Sequence, residues 1–401
     1  MRSRRDGVGL LAVLLALGLW LAPVAGAGPQ GIEAKAWTVV DARSGDVLSS
    51  HAAARHLPIA STTKLMTAYA AMKELPLDRV VRAAPYSPIY GESLMGLKAG
   101  ERVSVRDLLY GLILVSGNDA AHTLAIRAAG SEARFVRQMN RYAAALGLAD
   151  THYANPVGLD QQGNYSSASD LATLARRLLQ EPVFARIADS RTALLRSLRP
   201  PRRIETLNDL LYMAPWATGV KTGHTFGAGY VLVGSGQKQG VTLVSAAIGA
   251  PTEETRFTDS LALLEWGFSQ YRRRLPVRRG QDLADPGIRY SGGELPLRAA
   301  RSLQVGVRRG RRVNVRVRAP HEVEGPLRRG TRLGQATVFV AGRRIGSVPL
   351  LAGRSLPEAS FFDRARAIAA DNSIPIGIAA FVILIFAMVL RRRGARKRSR
   401  S

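Results

Sequence analysis

Apolar and polar positions change period several times along this chain, and each change predicts an element. Trp37-Thr38-Val39-Val40 and Asp46-Val47-Leu48 read as two strands. Asp41-Ala42-Arg43-Ser44-Gly45 between them reads as a hairpin loop with its glycine in place. Pro58 precedes an Ala/Leu/Met-rich stretch ending at Glu74, which predicts a helix that begins near Ser61. Helical spacing returns over Val105 to Val115, Ser131 to Leu146 and Ser169 to Leu179, the last two each opened by a serine suited to capping. Val220 opens a strand region. The apolar, β-rich runs Gly229 to Gly234 and Val241 to Gly249 follow, and Phe257 to Phe268 is helical again. Strands, helices, strands and a closing helix in that order predict an α+β domain, an antiparallel sheet packed with helices. After Tyr271 no long helical pattern occurs up to Leu356. Short alternating runs such as Leu303 to Val307, Val313 to Val317 and Ala336 to Val340 are separated by turn signals at Arg309-Gly310 and Arg329-Gly330. Regular short strands of this kind predict a small all-β unit, a β-sandwich.

The two ends carry longer apolar segments. Arg2, Arg4 and Arg5 precede an apolar run from Val8 to Leu21, and Ala25-Gly26-Ala27 supplies small residues at a cleavage position. This is the pattern of a signal peptide over residues 1–27, the alternative being an uncleaved anchor. Ile374 to Leu390 is free of charge and, as a helix, spans roughly 26 Å, near the short limit for a bilayer core. Seven Arg and Lys residues follow it between Arg391 and Arg400, so the positive-inside rule keeps that tail cytoplasmic and the body outside. The expected organisation is a signal peptide over 1–27, the α+β domain over 28–272, the β-sandwich over 273–356, a linker over 357–373, one transmembrane helix over 374–390 and a basic tail over 391–401. The expected location is the cell membrane, single-pass, with the body extracytoplasmic.

Composition narrows the partners. The 401 residues hold 57 Lys and Arg against 30 Asp and Glu, a net charge of +27. Such a balance fits an anionic partner, and export removes nucleic acid from the candidates. Anionic lipid or wall polymer, or simply a solvated basic surface, remain. No cysteine occurs, which excludes thiol chemistry and Cys-based metal sites. His51, His56, His122, His152 and His321 lack metal-ligand spacing, so neither a metal nor a cofactor is expected.

The chemistry lies in three separated motifs: Ser61-Thr62-Thr63-Lys64, Ser116-Gly117-Asn118 and Lys221-Thr222-Gly223. On a helix, residues three apart share a face, so Lys64 reaches the hydroxyl of Ser61. Serine needs a base to become a nucleophile, and lysine serves as one only when burial or nearby cationic charge lowers its pKa. Ser116 is placed to relay a proton and Asn118 to hold a substrate amide. Lys221 and Thr222 at the start of an edge strand suit a carboxylate, and Gly223 lets a substrate backbone come close. The backbone N–H groups of His224 and Ser61 are candidates for an oxyanion hole, with the His224 imidazole structural. Each motif alone also fits a cap, a turn or an ordinary strand. Asp170 is expected to order a helix.

The set S-x-x-K, S-x-N, K-T-G is that of penicillin-binding proteins and class A β-lactamases. The chain resembles the serine-type D-alanyl-D-alanine carboxypeptidases of peptidase family S11. Residues 61–67, Leu97-Lys98-Ala99-Gly100-Glu101, Asp107-Leu108-Leu109, residues 116–120, Met139-Asn140, Leu146-Gly147-Leu148, residues 155–159 and residues 219–225 carry the resemblance. It covers roughly Ala34 to Phe268, with a weaker likeness to the family's β domain beyond. It implies Ser61 as acyl-ester nucleophile, Lys64 as its proton acceptor, Ser116 as the third catalytic residue and Lys221 as the carboxylate binder. It also implies peptidoglycan stem peptides as substrates and β-lactams as covalent inhibitors. Two departures bear on substrate preference: Phe226-Gly227 replaces a polar or acidic pair, and Tyr165-Ser166-Ser167-Ala168 lacks a histidine frequent there. A β-lactamase of the same fold is disfavoured because no Glu has an Asn four residues later. A DD-endopeptidase or transpeptidase, or a wall-binding protein with a dead site, stay as alternatives.

Overall fold

The computed structural model describes residues 28–364 and Ala367. The signal peptide expected over 1–27, the helix expected over 374–390 and the tail after it lie outside these residues. Among the described residues no helix is long and apolar enough to cross a membrane.

The chain opens with the hairpin β1 (Ala36–Asp41) and β2 (Val47–His51), then a 3-10 turn, Ala60–Thr63, that runs into α1 (Lys64–Glu74). A small ribbon, β3 (Val80–Arg82) with β4 (Arg102–Ser104), precedes a run of helices. These are α2 (Val105–Leu114), α3 (Asn118–Ala129), α4 (Glu132–Ala145), α5 (Ala168–Leu178) and α6 (Pro182–Ala188). A second ribbon, β5 (Thr192–Leu195) with β6 (Arg202–Glu205), and the single turn α7 (Leu210–Met213) lead to β7 (Ala217–Thr225), β8 (Gly229–Lys238) and β9 (Val241–Ala250). The closing helix is α8 (Glu253–Ser269).

The main sheet is antiparallel, in the order β2-β1-β9-β8-β7, so the strand carrying Lys221-Thr222-Gly223 is an edge. Both faces of this sheet are covered. Val231, Val233, Val244, Ala246 and Ile248 join a large apolar cluster with α1 to α6, whereas Leu232, Leu243 and Ala247 join a second cluster with Leu263 and Leu264 of α8. Successive side chains of a strand point to opposite faces, so a strand buried on both reads as an unbroken apolar run. Each fully buried Leu, Ile or Val stabilises the fold by about 1.5–3 kcal/mol relative to exposure.

Helix starts follow local chemistry. The hydroxyls of Ser104, Ser131, Ser167 and Thr252 accept from the N–H three residues on and so cap α2, α4, α5 and α8. The expected cap Ser169 is thereby corrected to Ser167, because Ser167 is extended and Ser169 already lies inside the helix. The helical spacing of Val105 to Val115 stops at Ser116-Gly117-Asn118, and no helix is expected directly after it. In the structure Asn118 starts α3, whose first turn is buried.

Beyond α8 come β10 (Tyr271–Val277), β11 (Asp282–Ala284), β12 (Gly287–Ile288), β13 (Leu297–Ala299) and β14 (Leu303–Arg308). They are followed by β15 (Val313–Arg318), β16 (Glu322–Val323), β17 (Arg332–Val340) and β18 (Arg343–Ala352). A five-stranded sheet β11-β13-β18-β17-β15 and the ribbons β10-β14 and β12-β16 share a separate core that includes Val277, Leu297, Val338, Val348 and Leu350. Tyr271 OH donates to Asp41 Oδ2 at 2.6 Å, and Arg43 Nη1 donates to the Ile345 carbonyl at 3.1 Å. Arg343 Nη1 donates to the Ser44 carbonyl at 2.7 Å. These bonds tie the β1–β2 loop to the β-rich unit.

Candidate active site

Ser61 sits in the 3-10 turn ahead of α1, and Lys64 begins that helix. The turn aims both side chains one way: Lys64 Nζ donates to Ser61 Oγ at 2.9 Å and to the Val157 carbonyl at 2.5 Å. Thr62 and Thr67 anchor the segment by donating to the carbonyls of Ile59 and Pro156, each at 2.6 Å. Lys64 is wholly buried. Burial brings its pKa down from 10.5 to about 7, and the carboxylates of Glu92 and Asp119 oppose that fall.

Two glycines let the 155–159 loop and the strand β7 come close to the serine segment. A Cβ on Gly158 would lie 2.1 Å from the Ala60 carbonyl oxygen, and its φ of +92° also favours glycine. A Cβ on Gly223 would lie 3.0 Å from the Ser61 nitrogen. The loop bearing Gly158 is built around Asn155, whose Oδ1 accepts from the N–H groups of Val157 and Gly158, at 3.2 and 2.6 Å. That fold of the loop delivers the Val157 carbonyl to Lys64.

Ser116 is buried, with φ of +58°, in the turn between α2 and α3. Asn118, two residues on, donates its N–H to the Ser93 carbonyl at 2.8 Å and its Nδ2 to Glu92 Oε2 at 2.9 Å. Asp119 accepts from the N–H groups of Met95, Gly96 and Leu97, all at 2.8 Å, which pins the 92–97 loop over the turn. Glu92 also accepts from the Tyr86 hydroxyl and, at 3.3 Å, from the Ile89 N–H. With Nδ2 of Asn118 committed to Glu92, its Oδ1 is the atom available to accept from a ligand N–H.

On the edge strand β7, Lys221 is buried at 1% exposure and donates Nζ to the Thr222 carbonyl at 2.8 Å. Burial holds its pKa well below 10.5, and the charges of Lys64 and Arg256 push the same way. Thr222 and Gly223 are buried and His224 is exposed, its ring stacked on Tyr230 at 4.1 Å between centroids. Arg256 of α8 lies behind this strand, donating to the Gly223 carbonyl at 3.5 Å and to Glu253. Thr225 Oγ1 and the Gly227 N–H donate to Asp160, at 2.7 and 3.0 Å, which latches the β7–β8 turn to the Asn155 loop. Phe226 at that turn is fully exposed.

Residues of the three motifs are linked around Lys64 by contacts and electrostatics. Contacts join Ser61 to Lys64 and Gly223, and electrostatics couple Lys64 to Lys221. The Ser116-Gly117-Asn118 turn is linked to Lys64 through Glu92, which accepts from Asn118 Nδ2, and through Asp119. Glu92, Asp160 and Arg256 lie in no motif of the sequence, and Asp119 lies in one without a role of its own there. Asp170 accepts from the Asp150 N–H and the Thr151 hydroxyl, at 2.8 and 2.7 Å, and orders that loop against α5. Among the described residues no group of three or more His, Asp and Glu could hold a metal ion.

The family model of D-alanyl-D-alanine carboxypeptidase, peptidase S11, matches residues 24–252. The chain is 33% identical over 365 residues to D-alanyl-D-alanine carboxypeptidase DacC of Escherichia coli, covering 86% of this chain and 90% of that one. It is 37% identical over 246 residues to D-alanyl-D-alanine carboxypeptidase DacB2 of Mycobacterium tuberculosis, 60% of this chain and 84% of that one. Among solved structures, penicillin binding protein 6B from Escherichia coli matches with a TM-score of 0.59 at 28% identity, over 82% of this chain and 98% of that one.

Proposed function

The chain belongs to the D-alanyl-D-alanine carboxypeptidase family, peptidase S11, and we propose that it removes the terminal D-alanine from peptidoglycan pentapeptide stems through an ester on Ser61. The observation that carries this reading is the Lys64 amine, wholly buried, 2.9 Å from Ser61 Oγ, with a pKa of about 7. An amine so placed is neutral in a large fraction of molecules near neutral pH, where it takes the hydroxyl proton.

Ser61 Oγ attacks the carbonyl carbon of the penultimate D-alanine while its proton passes to Lys64 Nζ. The backbone N–H groups of Ser61 and His224 receive the developing oxyanion. Collapse breaks the C–N bond, and the leaving amine takes a proton from Lys64 by way of the Ser116 hydroxyl. Water then attacks the ester, gives a proton to Lys64, and Ser61 departs reprotonated. Lys221 and Thr222 hold the terminal carboxylate, Gly223 admits the substrate backbone, and Asn118 Oδ1 accepts the substrate amide N–H. β-Lactams acylate the same serine. The body works outside the membrane, delivered by residues 1–27 and tethered by residues 374–390.

The purified full-length chain is expected to release D-alanine from a diacyl-Lys-D-Ala-D-Ala peptide, and Ser61→Ala to abolish release. Release undiminished in Ser61→Ala would refute the assignment.

A further inference from the structure

Residues 271–356 hold twenty arginines, no lysine and five carboxylates. The two signs are segregated. Asp282 pairs with Arg298, and Glu322 and Glu324 pair with Arg289, all away from the junction with the catalytic unit. At the junction lies a cleft of about 500 Å³ lined by Arg43, Arg308, Arg311, Arg343 and Arg344. A shallower recess of about 190 Å³ shares Arg308 and Arg311 and adds Arg272, Arg274 and Arg309. Among the described residues none of these eight arginines is paired with a carboxylate. Two acids line the cleft. Asp41 is occupied, accepting from the N–H groups of Arg43 and Ser44 and from Tyr271 OH, and Asp46 is exposed. Arginine does not shed its proton to relieve crowding, so such a cluster draws its neutralising charge from outside.

We propose that this cleft and its adjoining recess bind a soluble polyanion with repeated phosphate groups, at a site apart from the Ser61 groove. The arginines come from three segments, the β1–β2 loop, the β10–β14 ribbon with its turn, and the start of β18. A tetrahedral phosphate offers oxygens toward several of them at once, whereas a carboxylate pairs best with one. Arg272 and Arg274 stand two residues apart on one face of β10, about 6.8 Å, a spacing that suits successive charges along a chain. A lipid headgroup is the less suitable source. Arg343 opens β18, and the strand runs ten residues, about 33 Å, to Ala352 before the chain leaves toward its carboxy-terminal apolar segment. The cleft is therefore at the end of the β-rich unit far from that exit. The proposal does not depend on the acyl chemistry.

The test is fluorescence anisotropy of labelled inorganic polyphosphate with the full-length chain in neutral detergent, between about 50 and 200 mM salt. Two triple variants remove equal charge: R308A/R311A/R343A in the cleft, and R318A/R328A/R332A at the opposite end of the sheet. The cleft triple is expected to bind roughly tenfold or more weakly, with its log–log salt slope reduced by about 2, and the distal triple to stay within about threefold. Equal losses in both, or no binding by the parent, would overturn the proposal. Vesicles of phosphatidylcholine with and without phosphatidylglycerol separate the lipid source. Phosphatidylglycerol binding lost only in the cleft triple and not competed by polyphosphate would overturn it too. Penicillin labelling of Ser61 reports folding in each variant. If the cleft triple loses that label, Arg311→Glu, an exposed turn residue, carries the same comparison. If the parent takes no label but binds polyphosphate at the cleft, the catalytic reading fails and this one stands.

Discussion

In the proposed reaction, the protonation state of Lys64 sets the pH at which Ser61 becomes nucleophilic. Glu92 and Asp119 favour the ammonium, while burial favours the neutral amine, and the balance falls at about 7. Only the neutral amine accepts a proton, so kcat/KM rises as pH passes that value from below. Glu92→Gln removes a negative charge and keeps an oxygen to accept from Asn118 Nδ2. The neutral amine then persists to lower pH, so the acidic limb of kcat/KM moves to lower pH while KM stays within about threefold, a small loss on the scale of one hydrogen bond. A pH–rate profile measures this, and an unmoved limb would remove Glu92 from the account. Ser61, Lys64, Ser116, Asn118 and Lys221 stood out as candidates because short fixed spacings carry them. Glu92, Asp160 and Arg256 did not, because each meets its partner across 26, 65 and 33 residues of sequence. No local pattern encodes such a pairing.

Elements were legible where one physical signal dominated. The unbroken apolar runs of β8 and β9 gave away strands buried on both faces, and the capping serine of α4 marked its start. Helix α3 escaped because its first residue also closes the Ser116-Gly117-Asn118 motif, and the turn chemistry of Ser116-Gly117 masked the helix behind it. The loops that meet Ser61 depend on glycine for reasons only tertiary contact reveals. Gly158→Ala would push a methyl into the Ala60 carbonyl from a left-handed backbone position. We expect it to cost about 1–3 kcal/mol of stability and to slow penicillin acylation by at least roughly tenfold, by displacing the Val157 carbonyl from Lys64. Thermal denaturation and acylation rates check both. Acylation unchanged in a destabilised protein would show that the loop supports the fold without positioning the base.

The described residues form two units joined at a seam, the catalytic one with an apolar cluster on each face of its sheet and the β-rich one with its own core. Gly306 of β14 is packed so that a Cβ there would lie 2.1 Å from Val241 Cγ2 of the catalytic unit. Gly306→Leu is therefore expected to wedge the seam open and split one melting transition into two, leaving Ser61 acylation within about twofold, as for independent sites. Calorimetry and labelling on the same preparation test it. A single transition at the parent's temperature would mean that the seam contributes little. At this scale the sequence announced the excess of positive charge and the change of pattern after Tyr271. It did not announce where the charge gathers, since Arg43, Arg308 and Arg343 become neighbours only when the β1–β2 loop docks on the β-rich unit.

The central claim is that Ser61, served by Lys64, forms the acyl-enzyme. Its most direct test is mass-spectrometric peptide mapping of the full-length chain after reaction with benzylpenicillin across a pH series. The account predicts one adduct, on the peptide carrying Ser61, forming faster as pH rises through about 7 and absent from Ser61→Ala. An adduct on another residue, or a rate that falls through that range, would contradict it.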